Sequence, residues 1–398
     1  MKIKNSKSPV VTLSSLYYQD VHNAYIMPEY PSSFQKKAKF LNENKYFIHD
    51  YPPLSLEYIE YLRPIRMCPI AGNDLPILLH HPPNKILQNH WKKWLPWFPE
   101  PDVHNLASTD TGDEKLITLY PLETVPKKKH AIDPDKHFEI LSKAAIPKMG
   151  ALCPRHMSLD NFTLPCMMKA THGLSCKGTY MVKTEEQAVQ VLHELQSDFN
   201  CSDPVVTEVI QGITGNYCLQ FYLFRNGNVQ WLGVTNQIIT SNCRWGGGVL
   251  NWDEQEDLKN MLFETVEPVM DYLHSQGYFG IVGVDVLKND IGQYIVDVNP
   301  RVNGSTPLLL IAPHMAEMGL KHSRFMTGRT FSCDMKTLVE ETNELNSIGD
   351  GVAVILSAAD TPDGCEAHIA VFGRTAESPL CVYDRLVLAA DKQLVKSC

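Results

Sequence analysis

The sequence predicts a mixed α and β protein, and three observations lead to that prediction. The chain has 398 residues, which exceeds one typical hydrophobic core and indicates roughly two to four compact units. Runs of β-branched residues separated by turn residues predict strands, most clearly over 279–301. Apolar residues at helical spacing over 253–275, with Gly277 just beyond, predict a long helix.

Composition excludes several classes of function. The formal net charge of −9 and a pI near 5.9 give the chain no electrostatic attraction for nucleic acid or anionic membranes. No stretch approaches the roughly 20 apolar residues that a membrane span requires, and the N-terminus is too short in apolar length for a signal peptide. The 11 cysteines are scattered singly, which favours reduced thiols in the cytoplasm over disulfides or structural zinc.

The N-terminal third shows little periodicity. Residues 1 to about 130 are rich in Pro, Tyr and Trp, and their fold cannot be predicted in detail from the pattern. The segment 91–98 mixes tryptophans with lysines, which is compatible with base stacking on nucleic acid. Packing of amphipathic tryptophans under a proline-rich loop is the stronger interpretation.

From residue 131 onwards the elements become readable in order. A short helix over 137–144 is followed by an apolar run over 164–170 that ends near Lys169, then by a glycine-containing loop. Thr184 and Gln187 predict a helix start. The remaining predicted elements are strands at 179–182 and 205–210, a strand pair 217–224 and 229–235, a flexible turn at 244–248, and β-rich segments at 352–358, 367–372 and 380–389.

The hairpin over 279–301 is the most informative feature. If Asp285 pairs opposite Asp297, alternation places Asp285, Asp297 and Asn299 on one face. The other face would then be apolar, made of Val282, Val284, Val286, Tyr294, Val296 and Val298. Carboxylates directly opposite each other repel, and a bound divalent cation removes that repulsion. The pattern therefore predicts a metal–nucleotide site rather than two aspartates on a solvated sheet face.

This hairpin resembles the Mg²⁺-binding hairpin of the ATP-grasp superfamily, and the resemblance extends over roughly 131–312. Lys136, before a helix and Ala-Ile-Pro, is similar to the first nucleotide lysine of the family, and Lys169 to the second. Glu208, with nearby backbone groups such as that of Ile210, resembles the strand that holds adenine. The resemblance implies that Asp285, Asp297 and Asn299 are the metal ligands. It also implies that Arg301 is the arginine that steadies the transferring phosphoryl or acyl-phosphate group.

The chemistry of phosphoryl transfer supports the same residues. The reaction needs positioning and cationic neutralisation of developing charge, which two lysines, an arginine and one or two Mg²⁺ ions provide. Gly173 and Gly178 allow backbone amides to approach phosphate oxygens. Arg244, in its glycine-rich turn, is either a group that docks a substrate carboxylate or a solvated loop arginine.

The resemblance implies an α+β, ATP-grasp architecture divided into domains. Residues 1–130 would form an N-terminal α/β domain and 131–330 the ATP-grasp domain, with a mobile lid at about 165–232. Residues 331–398 would form a small β-rich C-terminal unit. Closure of the lid over ATP would exclude water from a reactive intermediate.

The implied function is an ATP-dependent carboxylate–amine ligase that joins an amino acid or other small carboxylate to an amine through an acyl phosphate. ATP and Mg²⁺ are the implied cofactors, with Mn²⁺ as an alternative ion. Small-molecule carboxylates and amines are the expected partners, without nucleic acid or membrane, and a homodimer is expected from the family. Two alternatives stay open, namely an ATP-grasp kinase or carboxylase that forms no amide, and a non-catalytic ATP-binding protein.

Overall fold

The computed structural model describes residues 7–29, 42, 44–48, 62–174, 176–198, 200–239, 245–349 and 351–391. Within these residues the α-helices are α1 (Leu13–Tyr18), α2 (Lys85–Trp94), α3 (Pro134–Ile140), α4 (Glu185–Ser197), α5 (Gln255–Ser275), α6 (Thr306–Glu317), α7 (Met335–Ile348) and α8 (Ser378–Asp391). Shorter 3-10 helices cover Ile65–Ile70, Lys127–Lys129, Lys143–Met149 and Trp252–Glu254.

A parallel sheet occupies the N-terminal region, where periodicity in the sequence is weak. Its strand order is β3-β2-β1-β4. The strands are β1 (Ala24–Met27), β2 (Ile77–Leu79), β3 (Val103–Asn105) and β4 (Lys115–Thr118). They are too short to show a clear apolar period in the sequence, which explains why the pattern did not reveal them.

A small antiparallel sheet follows, with the strand order β5-β8-β6-β7. Its strands are β5 (His156–Met157), β6 (Cys166–Lys169), β7 (Thr179–Val182) and β8 (Val205–Glu208). Helix α4 packs on this sheet and begins at Thr184, whose side chain accepts a hydrogen bond from the backbone of Gln187, as predicted.

The largest sheet has eight antiparallel strands in the order β13-β12-β9-β10-β11-β14-β16-β15. They are β9 (Gly215–Leu223), β10 (Val229–Ile239), β11 (Trp245–Asn251), β12 (Gly280–Lys288), β13 (Gln293–Asn299), β14 (His322–Phe331), β15 (Gly351–Thr361) and β16 (Gly364–Gly373). The predicted flexible turn at 244–248 is wrong for its described part, because Trp245 onwards pairs as β11 with β10.

Helix α5 covers the apolar face of the predicted metal-binding hairpin, β12 and β13. Its predicted inward stripe is confirmed by four residues that are fully buried, namely Leu262, Val266, Val269 and Leu273. They pack with Val282, Val284 and Val286 of β12 in one apolar cluster. Burial of each such side chain contributes about 1.5–3 kcal/mol, which fixes the hairpin with its aspartate face directed away from α5.

The C-terminal strands join the same large sheet, because β16 pairs with β14. The predicted strands at 352–358 and 367–372 are confirmed as parts of β15 and β16. The strand prediction at 380–389 is wrong, since this segment lies in α8, whose buried residues Val382, Tyr383, Leu386 and Ala390 follow a helical period. No helix in the described part of the chain is long and apolar enough to cross a membrane.

The aromatic segment near residue 91 has a structural role. Trp91 and Trp94 lie in α2 and are buried. The Trp91 indole donates to the Ile355 carbonyl at 2.7 Å, and the Trp94 indole donates to Asn343 Oδ1 at 2.6 Å. Packing is therefore the correct interpretation of this segment, and stacking on nucleic acid is not.

Candidate functional site

The register of β12 and β13 agrees with the predicted metal hairpin. Asp285 pairs directly opposite Asp297, and Gly283 pairs opposite Asn299. Alternation therefore places the two carboxylates and the Asn299 amide on one face. The amide oxygen of Asn299 accepts a hydrogen bond from Arg301 at 2.7 Å, so the arginine is already directed to this face.

One part of the predicted hairpin is wrong. A bulge follows the Asp285–Asp297 pair, because Val286 pairs with Ile295 and leaves Val296 as the extra residue. The bulge reverses the alternation, so the fully buried residue on the apolar face is Ile295, while Tyr294 and Val296 are only half-buried. The backbone carbonyl of Val296 turns instead towards Lys169 Nζ, at 3.4 Å.

Asp285 lies in a poorly hydrated environment. It is opposite Cys218 of β9 as well as Asp297 of β13. Burial and the neighbouring Asp297 charge raise the pKa of the Asp285 carboxyl above its ordinary value. Burial and the Asp285 charge likewise raise the pKa of the Cys218 thiol, which keeps that thiol neutral. The two carboxylates therefore repel each other, and a bound cation would relieve that repulsion.

Two buried lysines lie beside this carboxylate pair. Lys169, at the end of β6, is 8% exposed, and burial lowers the pKa of its ammonium while Asp297 opposes that shift. Lys143 is 7% exposed, and its Nζ lies 3.2 Å from Asp297 Oδ1. Lys143 begins the 3-10 helix Lys143–Met149, whose apolar residues Ala145, Ile146 and Met149 are buried and hold the lysine inward.

Lys136, the predicted first nucleotide lysine, is not brought into this cluster. Its side chain is 51% exposed, and its Nζ lies 3.0 Å from Glu139 Oε2 on the same helix. Sequence reasoning missed Lys143, although a lone lysine before the apolar run 144–146 was a usable signal, since buried lysines need a charged partner. The assignment of Lys136 to ATP stays a prediction that the geometry does not favour.

The glycine loop joins β6 to β7 and is tightly folded. Ala170 donates to the Gly178 carbonyl at 2.7 Å, which closes the loop at its base. Gly178 has φ of 70°, a conformation that favours glycine. A Cβ on Gly173 would lie 2.5 Å from the Lys177 carbonyl oxygen, so that position also requires glycine.

A narrow cleft lies between the small and the large sheets. It is lined by Lys143, Ile146, Pro154, His156, Lys169, Val205, Thr207, Ile295 and Val296. The Thr207 hydroxyl is buried there and has no hydrogen-bond partner. An unpartnered buried hydroxyl is costly unless a water or a ligand supplies the missing bond.

The strand predicted to bind adenine lies at the edge of this cleft. Glu208 ends β8, and its Oε1 accepts a hydrogen bond from the Arg155 backbone at 2.9 Å. The Arg155 side chain lies 3.8 Å from the other carboxylate oxygen. Ile210 is half-buried just beyond the strand. Both residues border the cleft segment that contains Thr207, and their contacts with adenine stay predictions.

Arg301 has capacity for a further ligand. Its guanidinium lies over the Tyr120 ring at 5.2 Å, and its Nε is buried without a partner. Arg244 lies outside the described residues, so its predicted role in docking a carboxylate stays a prediction.

The residues present fit a magnesium ion with a nucleotide. Asp285, Asp297 and Asn299 offer oxygen ligands, and Mg²⁺ usually takes one or two carboxylates together with substrate phosphates. The described residues contain no group of three or more His, Cys, Asp or Glu side chains that could hold a metal alone. A site of this composition depends on the nucleotide for its remaining ligands.

A family model matches the middle of the chain. Residues 149–299, which contain the strands of the small sheet, the hairpin and Asn299, match the model of a family described as L-aspartate–L-methionine ligase, ATP grasp. The match and the solved structures below agree on the ATP-grasp fold. The predictions of this fold, of an ATP-dependent ligase and of ATP and Mg²⁺ as cofactors are confirmed at the level of the family.

Solved structures show the same fold. N5-carboxyaminoimidazole synthetase from Staphylococcus aureus, complexed with ADP, is 11% identical with a TM-score of 0.54, covering 92% of this chain and 98% of that one. An ADP complex of N5-carboxyaminoimidazole ribonucleotide synthetase is 13% identical with a TM-score of 0.53, covering 83% and 95%. The Thermus thermophilus enzyme of the same name is 12% identical with a TM-score of 0.52, covering 83% and 96%.

Proposed function

We propose that this ATP-grasp protein ligates two amino acids, activating the carboxylate of one and joining it to the amine of the other. L-Aspartate and L-methionine are the proposed pair, because the matched family carries that description. The observation that carries the proposal is the pairing of Asp285 with Asp297 beside two buried lysines. Such a group neutralises and positions phosphates, which is what phosphoryl transfer requires.

The residues have separate proposed roles. Asp285, Asp297 and Asn299 would hold Mg²⁺, which neutralises negative charge on the phosphates when it is bound. Lys143 and Lys169 neutralise phosphate oxygens. The Arg301 guanidinium, with its unpartnered Nε, binds the transferred phosphoryl group. The glycine loop closed by Ala170 and Gly178 covers the phosphates and excludes water.

The proposed reaction has two steps, formation of an acyl phosphate and then of an amide. A carboxylate oxygen of the first amino acid attacks the γ-phosphorus of ATP, and ADP leaves, which gives an acyl phosphate. The neutral amine of the second amino acid then attacks the acyl carbon, loses a proton, and displaces inorganic phosphate as the amide forms. Exclusion of water from the acyl phosphate is essential, because hydrolysis would return the free acid.

A carboxylase or kinase is the second candidate. Carboxyaminoimidazole synthetases share this fold, but identities of 11–13% show the fold alone and do not favour one reaction over the other. A protein that only binds ATP is disfavoured, because the charged and polar residues of the site are all present and lie at the cleft and on one face of the hairpin. They are Lys169, Asp285, Asp297, Asn299 and Arg301.

The test of this site is the substitution Asp297→Ala. We expect it to abolish Mg·ATP-dependent release of ADP with the fold intact, because one of the two carboxylates that hold the ion is lost. Asp290→Ala is the matched control, since Asp290 lies exposed in the turn of the same hairpin. Undiminished turnover in Asp297→Ala, with normal circular dichroism, would remove the hairpin from the active site.

Cellular location and oligomeric state also stay proposals. We infer a cytoplasmic location, supported by the nine described cysteines, none of which forms a disulfide. We also propose a homodimer, which light scattering on the purified full chain would test.

A further inference from the structure

A second row of residues lies beside the carboxylate pair on the same face of the large sheet. The first row crosses β13, β12 and β9 and consists of Asp297, Asp285 and Cys218. The second row lies two residues away along each of these strands and consists of Asn299, Gly283 and Gln220. Alternation gives both rows the same face, which we call the carboxylate face. Gln220 of β9 therefore shares a face with the predicted metal ligands.

The Gln220 side chain is fully buried and uses both ends of its amide. It is 0% exposed. Its Nε2 donates a hydrogen bond to Asn303 Oδ1 at 2.7 Å, and its Oε1 accepts one from the Thr306 hydroxyl at 2.7 Å. Both partners belong to the segment 299–306, which joins the end of β13 to the start of α6. One residue of β9 therefore binds this segment at two points.

Backbone groups fix the direction of these hydrogen bonds. The Ser305 N–H donates to Asn303 Oδ1 at 3.1 Å, so this oxygen is an acceptor and requires the NH₂ group of Gln220 opposite it. The Asn303 N–H donates to the Thr306 hydroxyl at 3.0 Å, and the hydroxyl proton is then given to Gln220 Oε1. Reversal of the Gln220 amide would break both of its bonds.

Gly283 leaves the space that the Asn303 side chain occupies. A Cβ on Gly283 would lie 2.3 Å from Asn303 Nδ2. The same nitrogen lies 3.8 Å from the sulfur of Cys218, which is opposite Asp285 in the first row. The Asn303 amide therefore contacts both rows of the carboxylate face.

The segment held in this way carries Arg301. The Arg301 guanidinium donates to Asn299 Oδ1 at 2.7 Å. Asn299, at the start of the segment, is fixed by its pairing with Gly283. The other end is fixed by the bonds from Gln220 to Asn303 and Thr306, so both ends of the segment are tied to the carboxylate face.

We propose that Gln220 is a positioning residue for phosphoryl transfer, which holds Arg301 in place beside the carboxylate face through Asn303 and Thr306. The action of Arg301 on a phosphoryl group rests on the proposed ligase function. Misplacement of a reacting group by about 1 Å can slow a reaction on the order of 100-fold, so a buried residue without substrate contact can control the rate.

Substitutions at both ends of one hydrogen bond test this role. Gln220→Met and Thr306→Val remove the amide and the hydroxyl with little change in side-chain size. We expect each to lower kcat for ADP release roughly 10- to 100-fold and to leave the KM for ATP within about twofold of wild type, because the metal ligands and lysines are unchanged. Thr306→Ser keeps the hydroxyl and should restore kcat.

The two substitutions act independently of each other, so a folded variant of either kind is sufficient, and circular dichroism checks folding. Wild-type kcat in folded Gln220→Met or Thr306→Val would overturn the proposal. A rise in the KM for ATP in proportion to the fall in kcat would also overturn it, because nucleotide binding rather than Arg301 would then be affected.

Gln293→Met is the matched control. Gln293 of β13 accepts a hydrogen bond from the Thr265 hydroxyl at 2.8 Å and donates one to the Met261 carbonyl at 3.1 Å. It makes the same two kinds of bond as Gln220, but its partners lie in α5. Gln293→Met should keep the wild-type kcat. A loss equal to that of Gln220→Met would show a general effect of removing an amide and would overturn the proposal.

A binding measurement tests the same role without turnover. Isothermal titration calorimetry compares Mg·ADP alone with Mg·ADP and aluminium fluoride, which mimics a phosphoryl group during transfer. We expect aluminium fluoride to tighten ADP binding to the wild type, and Arg301→Ala to lose that gain. Gln220→Met should lose most of the gain and bind Mg·ADP alone as the wild type does. Full retention of the gain by Gln220→Met, or its absence in the wild type, would overturn the proposal.

The two proposals fail in different ways. If Gln220→Met loses the gain from aluminium fluoride but the wild type releases ADP with no amino acid pair, the ligase proposal fails and the role of Gln220 stands. If the wild type releases ADP and forms a dipeptide while Gln220→Met keeps both kcat and the gain, the role of Gln220 fails and the ligase stands.

Discussion

At the scale of single residues, the pairing of Asp285 with Asp297 carries most of the chemical meaning. Opposed carboxylates destabilise a sheet, and here burial raises the pKa of Asp285 further. Lys143 supplies one positive charge at 3.2 Å from Asp297. Lys169, buried at the same place, supplies a second, so the two lysines offset the two carboxylates, and a bound metal ion would make the group attractive to phosphates.

The choice between Lys143 and Lys136 is a direct prediction of this geometry. Lys143→Met should lower kcat/KM for ATP roughly 100-fold, because a buried positive charge beside Asp297 is lost. Lys136→Met should stay within about twofold of wild type, because Lys136 is exposed and pairs with Glu139. Steady-state ADP release measures both. The reverse order of effects would restore the sequence-based assignment of Lys136.

Prediction from sequence succeeded for residues whose spacing follows a simple period. The opposition of Asp285 and Asp297 followed from alternation, and the structure has it. Ile295 was missed because the bulge at Val296 reverses alternation, and nothing in a valine-rich strand marks a bulge. Lys143 was missed for another reason, since it meets Asp297, a residue distant in sequence, only through the tertiary fold.

At the scale of elements, the glycine loop between β6 and β7 and the hairpin of β12 and β13 form the site together. The loop is fixed at its base by the bond from Ala170 to Gly178, and Lys169 precedes it directly. The strands and the order of these elements were predictable, because each has a regular period. The parallel N-terminal sheet was not, because its strands are only three or four residues long.

The conformation of Gly178 gives a testable consequence for this loop. Gly178→Ala should raise the KM for ATP, because φ of 70° strains an alanine and shifts the loop. Gly277→Ala is the matched control, since Gly277 has φ of 76° and open space around it at the end of α5. Both should lose about 1–2 kcal/mol of stability in chemical denaturation. An unchanged KM for ATP in Gly178→Ala would separate the loop from nucleotide binding.

At the scale of the whole molecule, the N-terminal region is joined to the C-terminal strands by buried polar contacts. His90 of α2 is 1% exposed, and its Nε2 accepts a hydrogen bond from the Ile355 backbone at 3.0 Å. Its other ring nitrogen lies 2.9 Å from Asn343 Oδ1 of α7. These contacts hold α2 against the large sheet, and the 3-10 helix Ile65–Ile70 contacts the same strand, β15.

Acid should loosen this junction. Burial lowers the pKa of His90 to about 4, so the ring is neutral when folded and takes up a proton more readily when unfolded. Its contribution to stability is present above about pH 6.5 and is lost as the pH falls towards 4. By pH 5 the loss should reach about 2 kcal/mol.

Chemical denaturation at pH 7.5 and 5.0 measures this effect. His90→Gln should lose less stability than wild type over that interval, because the titrating ring is gone. His193→Gln, at an exposed position of α4, should keep the wild-type pH dependence. An identical pH dependence in wild type and His90→Gln would show that this ring does not couple the junction to pH.

The measurement that tests the central claim most directly is ADP release by the full chain with Mg·ATP, L-aspartate and L-methionine, singly and together, with product masses determined. The account predicts ADP release that requires both amino acids, and a product lighter than their sum by one water. ADP release with one substrate alone and a phosphorylated or carboxylated product would contradict it, as would tight ATP binding without any turnover.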